Sequence, residues 1–142
     1  MKKYLKTKCI IQFLLILFVF PNKLFAQIVT TIAGNGYTRI DGPARVGDSV
    51  ATFNTPRALV VDRQGNIYVA DYNNNKIRKI STNGIVTTVA GTGVKGTDNG
   101  PVSTATLTQP TSVAVDSIGN IYFTENNIHT IRKVSTDGFV SI

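Results

Sequence analysis

Three arrangements of side chains in this chain of 142 residues have the types and spacing for chemistry. Gly91-Thr92-Gly93-Val94-Lys95-Gly96 has the spacing of a loop that cradles phosphate. In such a site backbone N–H groups at a helix N-terminus hold a pyrophosphate, so a helix must follow. Thr97-Asp98-Asn99-Gly100-Pro101 follows instead and reads as loop, and a flexible connection between strands is the simpler account. His129 is the sole imidazole. A catalytic base needs a partner in reach, and no Ser or Asp stands at a spacing that would supply one, so His129 is expected to pack within a turn. Asp62, Asp71, Asp116 and Glu125 recur at matching places. Carboxylates and carbonyls are the ligands of Ca²⁺, yet a carboxylate that opens a turn accepts backbone N–H bonds without any ion. Turn capping is the expected role, no cofactor is expected, and Asp71 and Glu125 as calcium ligands form the alternative. The repeated steps Arg78-Lys79 and Arg132-Lys133 are expected on a solvated outer face, with anionic-polymer binding as the alternative.

The elements that must position these groups come in two repeats. Val29-Thr30-Thr31-Ile32-Ala33-Gly34 matches Val86-Thr87-Thr88-Val89-Ala90-Gly91 at an offset of 57 residues. After a long loop the offset falls to 54, where Asp62-x-x-Gly65-Asn66-Ile67-Tyr68 matches Asp116-x-x-Gly119-Asn120-Ile121-Tyr122. Internal periods of this size mark solenoids, propellers or arrays. Each repeat reads as four short strands. Ala58–Val61 (Ser112–Val115) is nearly all small or apolar, as in a strand buried on both faces. A turn from Asp62 to Gly65 leads to Asn66–Asp71, an Asn-rich turn leads to Lys76–Ile80, and Asn83-Gly84 is a hairpin signal into Ile85–Ala90. The body is all-β.

Four antiparallel strands joined in sequence describe a propeller blade, whose two apolar faces need neighbours. Residues 27–33 read as a fourth strand without its own preceding three, and the sequence stops inside the next fourth strand. A truncated propeller is expected on this phase; three copies that close six blades as a homotrimer are the alternative. The segmentation is 1–26 as an N-terminal signal, 27–85 as the first repeat with its leading strand, and 86–142 as the second. Long loops at 34–56 and 91–110 share one end of the blades with the turns at 72–75 and 126–130, and binding concentrates in such loops. Tyr37, Arg39, Arg45, Arg57, Tyr72 and His129 are the binding candidates there, Arg and aromatic types being favoured anchors. Phe53 and Leu107 are expected to pin their loops onto the blades.

Charge removes one class of function. The net charge of +7 comes from 15 basic and 8 acidic residues, but Lys2, Lys3, Lys6, Lys8 and Lys23 all precede residue 27, in a stretch without acids. The body keeps 10 basic and 8 acidic side chains, no footprint for nucleic acid. Cys9, the only cysteine, lies in that same stretch, which excludes a disulfide framework in the body. Met1–Lys8 is a basic head, Cys9–Phe20 an apolar run closed by Pro21, and Leu24-Phe25-Ala26 a usable cleavage site. The run is roughly half of the ~20 residues a spanning helix needs. Export to the periplasm, cell surface or medium is expected, with no membrane association after cleavage.

The residues Pro56-Arg57-Ala58-Leu59-Val60-Val61-Asp62, Gly65-Asn66-Ile67-Tyr68-Val69-Ala70-Asp71 and Asn74-Asn75-Lys76-Ile77-Arg78-Lys79 resemble the core of the NHL-repeat family. The long loops resemble its secreted bacterial form and the NHL segment of teneurins. The resemblance covers residues 28–142, with Ile128 and Glu125 standing where the family has Asn and Asp. It implies a six-bladed β-propeller, of which this chain holds two blades, and a role in binding; a scaffold for protein or glycan without chemistry of its own is the expected function. Related propellers act as lyases or lactonases with a channel-bound divalent ion, so a remnant of such an enzyme is the alternative, as is a trimeric lectin-like assembly.

Overall fold

The computed structural model describes residues 30–34, the short strands β1 (Ala44–Arg45) and β2 (Asp48–Ser49), and residues 51–142. The expected signal segment lies outside the described residues. Of the strand expected over 27–33, the described part, residues 30–33, is not a strand. A fourth strand forms on a third-strand neighbour, and here both described third strands already carry their own.

The first blade is a four-stranded antiparallel sheet in sequence order: β3 (Pro56–Val61), β4 (Ile67–Asp71), β5 (Lys76–Ile80) and β6 (Val86–Ala90). The second has β7 (Gly100–Pro101) from its loop on the outer edge, followed inward by β11 (Phe139–Ser141), β10 (Ile131–Val134), β9 (Ile121–Glu125) and β8 (Pro110–Val115). Both first strands begin two residues before the expected start, and a register shift after Pro56 and Pro110 absorbs the extra residue. The turns follow their residue types: Asn75 and Asn127 adopt positive φ, as do Gly65, Gly84, Gly119 and Gly138.

The blades pack face to face, mainly through β3 and β4 against β8. The rear face of the first sheet gives Ala58, Val60, Tyr68, Ala70, Ile77 and Ala90 to this core. The front face of the second gives Val113, Val115, Ile121, Phe123, Val134 and Val140, and its loop adds Ala105 and Leu107. The opposite side of the first sheet holds a smaller cluster, Val69, Ile80 and Val86 under Ala51 and Phe53. Leu107 and Phe53 thus pin their loops as expected.

The first strand is not buried on both faces. Side chains alternate across a strand, so Ala58 and Val60 enter the inter-blade core while Leu59 and Val61 point away, 66% and 54% exposed. The sequence pattern describes a strand between two blades, and β3 has a blade on one side.

Candidate functional site

The site is built where the long loops meet the second-to-third-strand turns, and two buried ion pairs hold it. Asp71 ends β4, and Arg78 lies on the neighbouring strand opposite Val69. That places acid and base diagonally on one face of the sheet, within reach of long side chains. Arg78 Nη1 lies 3.4 Å from Asp71 Oδ2, with both side chains buried. Glu125 and Arg132 repeat the pair at 3.3 Å. These contacts correct the expectation of a solvated basic face: Arg78 and Arg132 are 1% exposed. The lysines differ, Lys79 and Lys133 being half-buried with their ammonium groups over the rings of Tyr68 and Tyr122.

Each pair clasps the loop that precedes its blade. Asp71 Oδ1 accepts the Asn54 backbone N–H at 2.8 Å, and Glu125 accepts that of Thr108. On the cationic side, Arg78 donates to the Thr52 carbonyl and Arg132 to those of Thr106 and Asp98 and to Asn99 Oδ1. Burial is the largest influence on Asp71 and pushes its carboxyl above the ordinary value, against the Asn54 N–H, the Asn74 amide and the charges of Arg78 and Lys76. The oxygens of Asp71 and Glu125 that would ligate an ion therefore face a guanidinium and loop N–H groups. Among the described residues no three His, Cys, Asp or Glu side chains gather as a metal site.

Asp62 and Asp116 do open turns. Asp62 Oδ1 accepts the N–H groups of Gln64 and Asn66, and Asp116 Oδ1 those of Ile118 and Asn120. The two turns border a polar groove of about 280 Å³ at the opposite end of the blades from the long loops, which Tyr68 and Lys79 also line.

The glycine-rich segment closes on itself instead of opening a helix. Gly91 has φ +95°, and a Cβ there would stand 2.3 Å from the Asn75 carbonyl oxygen. Gly96 lies against Thr106, whose Oγ1 would be 2.4 Å from an added Cβ. The glycines let the loop fold back along the blade, where Gly96 N–H donates to the Leu107 carbonyl.

At the loop face the structure brings Arg57 and Tyr72 together: the guanidinium carbon sits 4.0 Å from the ring centroid. The Tyr72 hydroxyl accepts from the Asn126 amide of the second blade, and that amide also donates to Gln109 Oε1. Asn73 donates to Asn54 and Thr55 alongside. Tyr37 and Arg39 lie outside the described residues, as does the side chain of Arg45, whose backbone is in β1. His129 is exposed in the second blade's turn with φ +57°. Its equivalent Asn75, at φ +52°, accepts the Gln109 N–H and donates to the Gly93 carbonyl, a blade-to-blade link. Charge reading missed the two arginines; the signal available was an acid followed seven residues later by Arg in both repeats.

Sequential four-stranded sheets packed face to face, each with a clasped loop at one end, are β-propeller blades. The model described as NHL repeat matches residues 53–80. Teneurin-1 of Gallus gallus is 34% identical over 120 residues, covering 75% of this chain and 4% of teneurin-1. NHL repeat-containing protein 2 of Gallus gallus is 45% identical over 73 residues, covering 51% of this chain and 9% of that protein. A solved structure from Bacteroides thetaiotaomicron, of unknown function, superposes with TM-score 0.62 at 25% identity over 82% of this chain and 28% of its own. The chain belongs to the NHL-repeat family and spans a small part of each of these relatives.

Proposed function

We infer that the chain is a non-catalytic binding module, exported by its N-terminal segment, whose loop face takes a protein or a glycan. The observation that carries this reading is Arg57 laid over Tyr72, with the ring's hydroxyl fixed by Asn126. The stack orients the guanidinium of the exposed Arg57 over a ring that is itself tied through Asn126 to Gln109. A guanidinium so held suits carboxylate groups on the partner, which it engages through paired N–H donors. Rigid clasps beneath the loops support the same reading, because a preordered surface loses less freedom on binding. His129 and, ahead of β3 in the sequence, Tyr37, Arg39 and Arg45 are the further residues proposed for this face. The basic head and apolar run of residues 1–20 support export. Among the described residues no helix is long and apolar enough to cross a membrane.

Two probes test the face: polyglutamate as an acidic polypeptide and polygalacturonate as an acidic polysaccharide, each measured by biolayer interferometry. One of the two is expected to bind, and Arg57→Ala to weaken it roughly tenfold, about 1.4 kcal/mol. Retention of neither probe, or an Arg57→Ala variant that binds like the parent, would count against the reading.

A further inference from the structure

Among the described residues, the first strand on the front of the first sheet and the rear of the second sheet are left uncovered, and the chain already holds the surface that fits both. Its internal interface joins the rear of the first blade to the front of the second. The uncovered faces are the front of the first and the rear of the second, so they carry the equivalents of the two sides of that interface. At the rear, Ile77 is fully buried whereas its equivalent Ile131 is 66% exposed. At the front, Val113 and Pro110 are buried whereas Leu59 and Pro56 are exposed. The turns repeat the pattern. Asn75 and Gln109, both at positive φ, are joined across the internal interface, while their equivalents His129 and Thr55 hold the same backbone conformation in exposed positions.

We propose that these faces bind each other between copies of this chain, head to tail, repeating the interface that joins the blades within it. The contact goes beyond the loop-face reading and shares with it only His129, at the edge of that face. It sets Ile131 of one copy against the front of the next, and places the His129 ring nitrogen to accept the Thr55 N–H. Unlike surfaces that meet head to tail either close a ring or run on as a filament. Each step here is the rotation between propeller blades, which closes at roughly four to eight blades, so two to four copies complete the ring. The rear face has the mixed character of an interface between separately folded chains. Ser112, Ala114 and Thr124 stand there, at the positions of Ala58, Val60 and Ala70, around Tyr122 and Ile131.

The test is the mass of the full chain, produced with its N-terminal segment in an exporting host and measured by light scattering behind size exclusion. One species of about two to four chain masses is expected. Leu59→Arg blocks the front and Ile131→Arg the rear, and each variant alone is expected to be monomeric with an intact circular dichroism spectrum. Mixed, they still offer one free rear and one free front, so a one-to-one dimer forms and stops there. Leu59→Ser and Ile131→Ser follow the same logic if an arginine variant does not fold, raising the concentration needed for assembly about tenfold or more. A monomeric or broadly aggregated parent, blocked variants that keep the parent's mass, or a mixture that stays monomeric would each overturn the proposal. Neither Leu59 nor Ile131 takes part in the Arg57–Tyr72–Asn126 contacts, so loss of assembly and loss of probe binding are read separately.

Discussion

Ile77 and Ile131 occupy the same place in two matching repeats, each followed by Arg-Lys, and one is fully buried while the other is two-thirds exposed. Leu59 and Val113 make the same contrast from the other side of the blade. Strand, register and turn chemistry are alike in both repeats, so burial at these positions is a property of the neighbour and not of the local sequence. The clasps teach the opposite. Asp71–Arg78 and Glu125–Arg132 form in both blades, because each needs only its own sheet and its own loop. Their surroundings trade volume to keep this so. Arg78 lies near Phe53, from the loop, with Val69 on the strand, whereas Arg132 lies near Phe123, from the strand, with Leu107 in the loop.

The most severe way to test this division is to break a clasp. Arg132→Met leaves the Glu125 carboxylate buried without its countercharge and removes the donors to Thr106 and Asp98. A loss of about 3–5 kcal/mol is expected, since removing one partner of a buried pair has that cost. Arg78→Met is expected to cost a similar amount, read by urea unfolding of each variant. A loss below about 1 kcal/mol in either repeat would show that the pair does not hold its loop.

The paired isoleucines come next. Ile77→Ala removes a fully buried side chain and is expected to cost about 2–5 kcal/mol. Ile131→Ala, measured in dilute solution where chains are single, is expected within about 0.5 kcal/mol of the parent. At higher concentration its cost grows if a second copy covers the rear face. Equal losses in dilute solution would mean that Ile131 is already covered within one chain.

Much of this was legible beforehand for a physical reason: turn residues and strand alternation act over a few positions, and both repeats display them twice. The third strand Lys76–Ile80 and the hairpin at Asn83-Gly84 appear as read from those signals alone. The clasp was not legible from charge, because Arg next to Lys looks like a solvent-facing pair. Only the sheet places Arg78 diagonally from Asp71, across a strand boundary that residue types do not reveal. The exposure of Leu59 was hidden for the complementary reason. A strand built to lie between blades has one composition whether or not the second neighbour stands beside it. At the loop face, Arg57 and Tyr72 are singled out by residue type, but their stacking depends on the meeting of loop and turn.

The smallest expected effect separates the two kinds of carboxylate through pH. At Asp62 partial burial opposes ionisation, but the hydrogen bonds from Asn66, Gln64 and Tyr68 outweigh it and hold the carboxyl below its ordinary 3.8. The Asn120 side chain is the largest influence on Asp116, which is likewise lowered. A folded-state value below the unfolded one means stability that is present above about pH 4 and lost as pH falls through the folded value. Asp71 has the opposite sign. Its folded value is raised, so between 3.8 and that value the folded chain keeps a proton that the unfolded chain has released, and stability falls as pH rises through this window. The double variant Asp62→Asn/Asp116→Asn should therefore melt lower than the parent at pH 7 and lose less on going from pH 5 to pH 3, by thermal denaturation. An acid limb as steep as the parent's would place the acid sensitivity elsewhere. Asp71→Asn should differ in kind, since removing a carboxyl with a raised value takes away stability that grows toward acid and so steepens the acid limb. The same test thus asks whether the recurring acids are two populations, one capping turns in water and one clasping loops in the core.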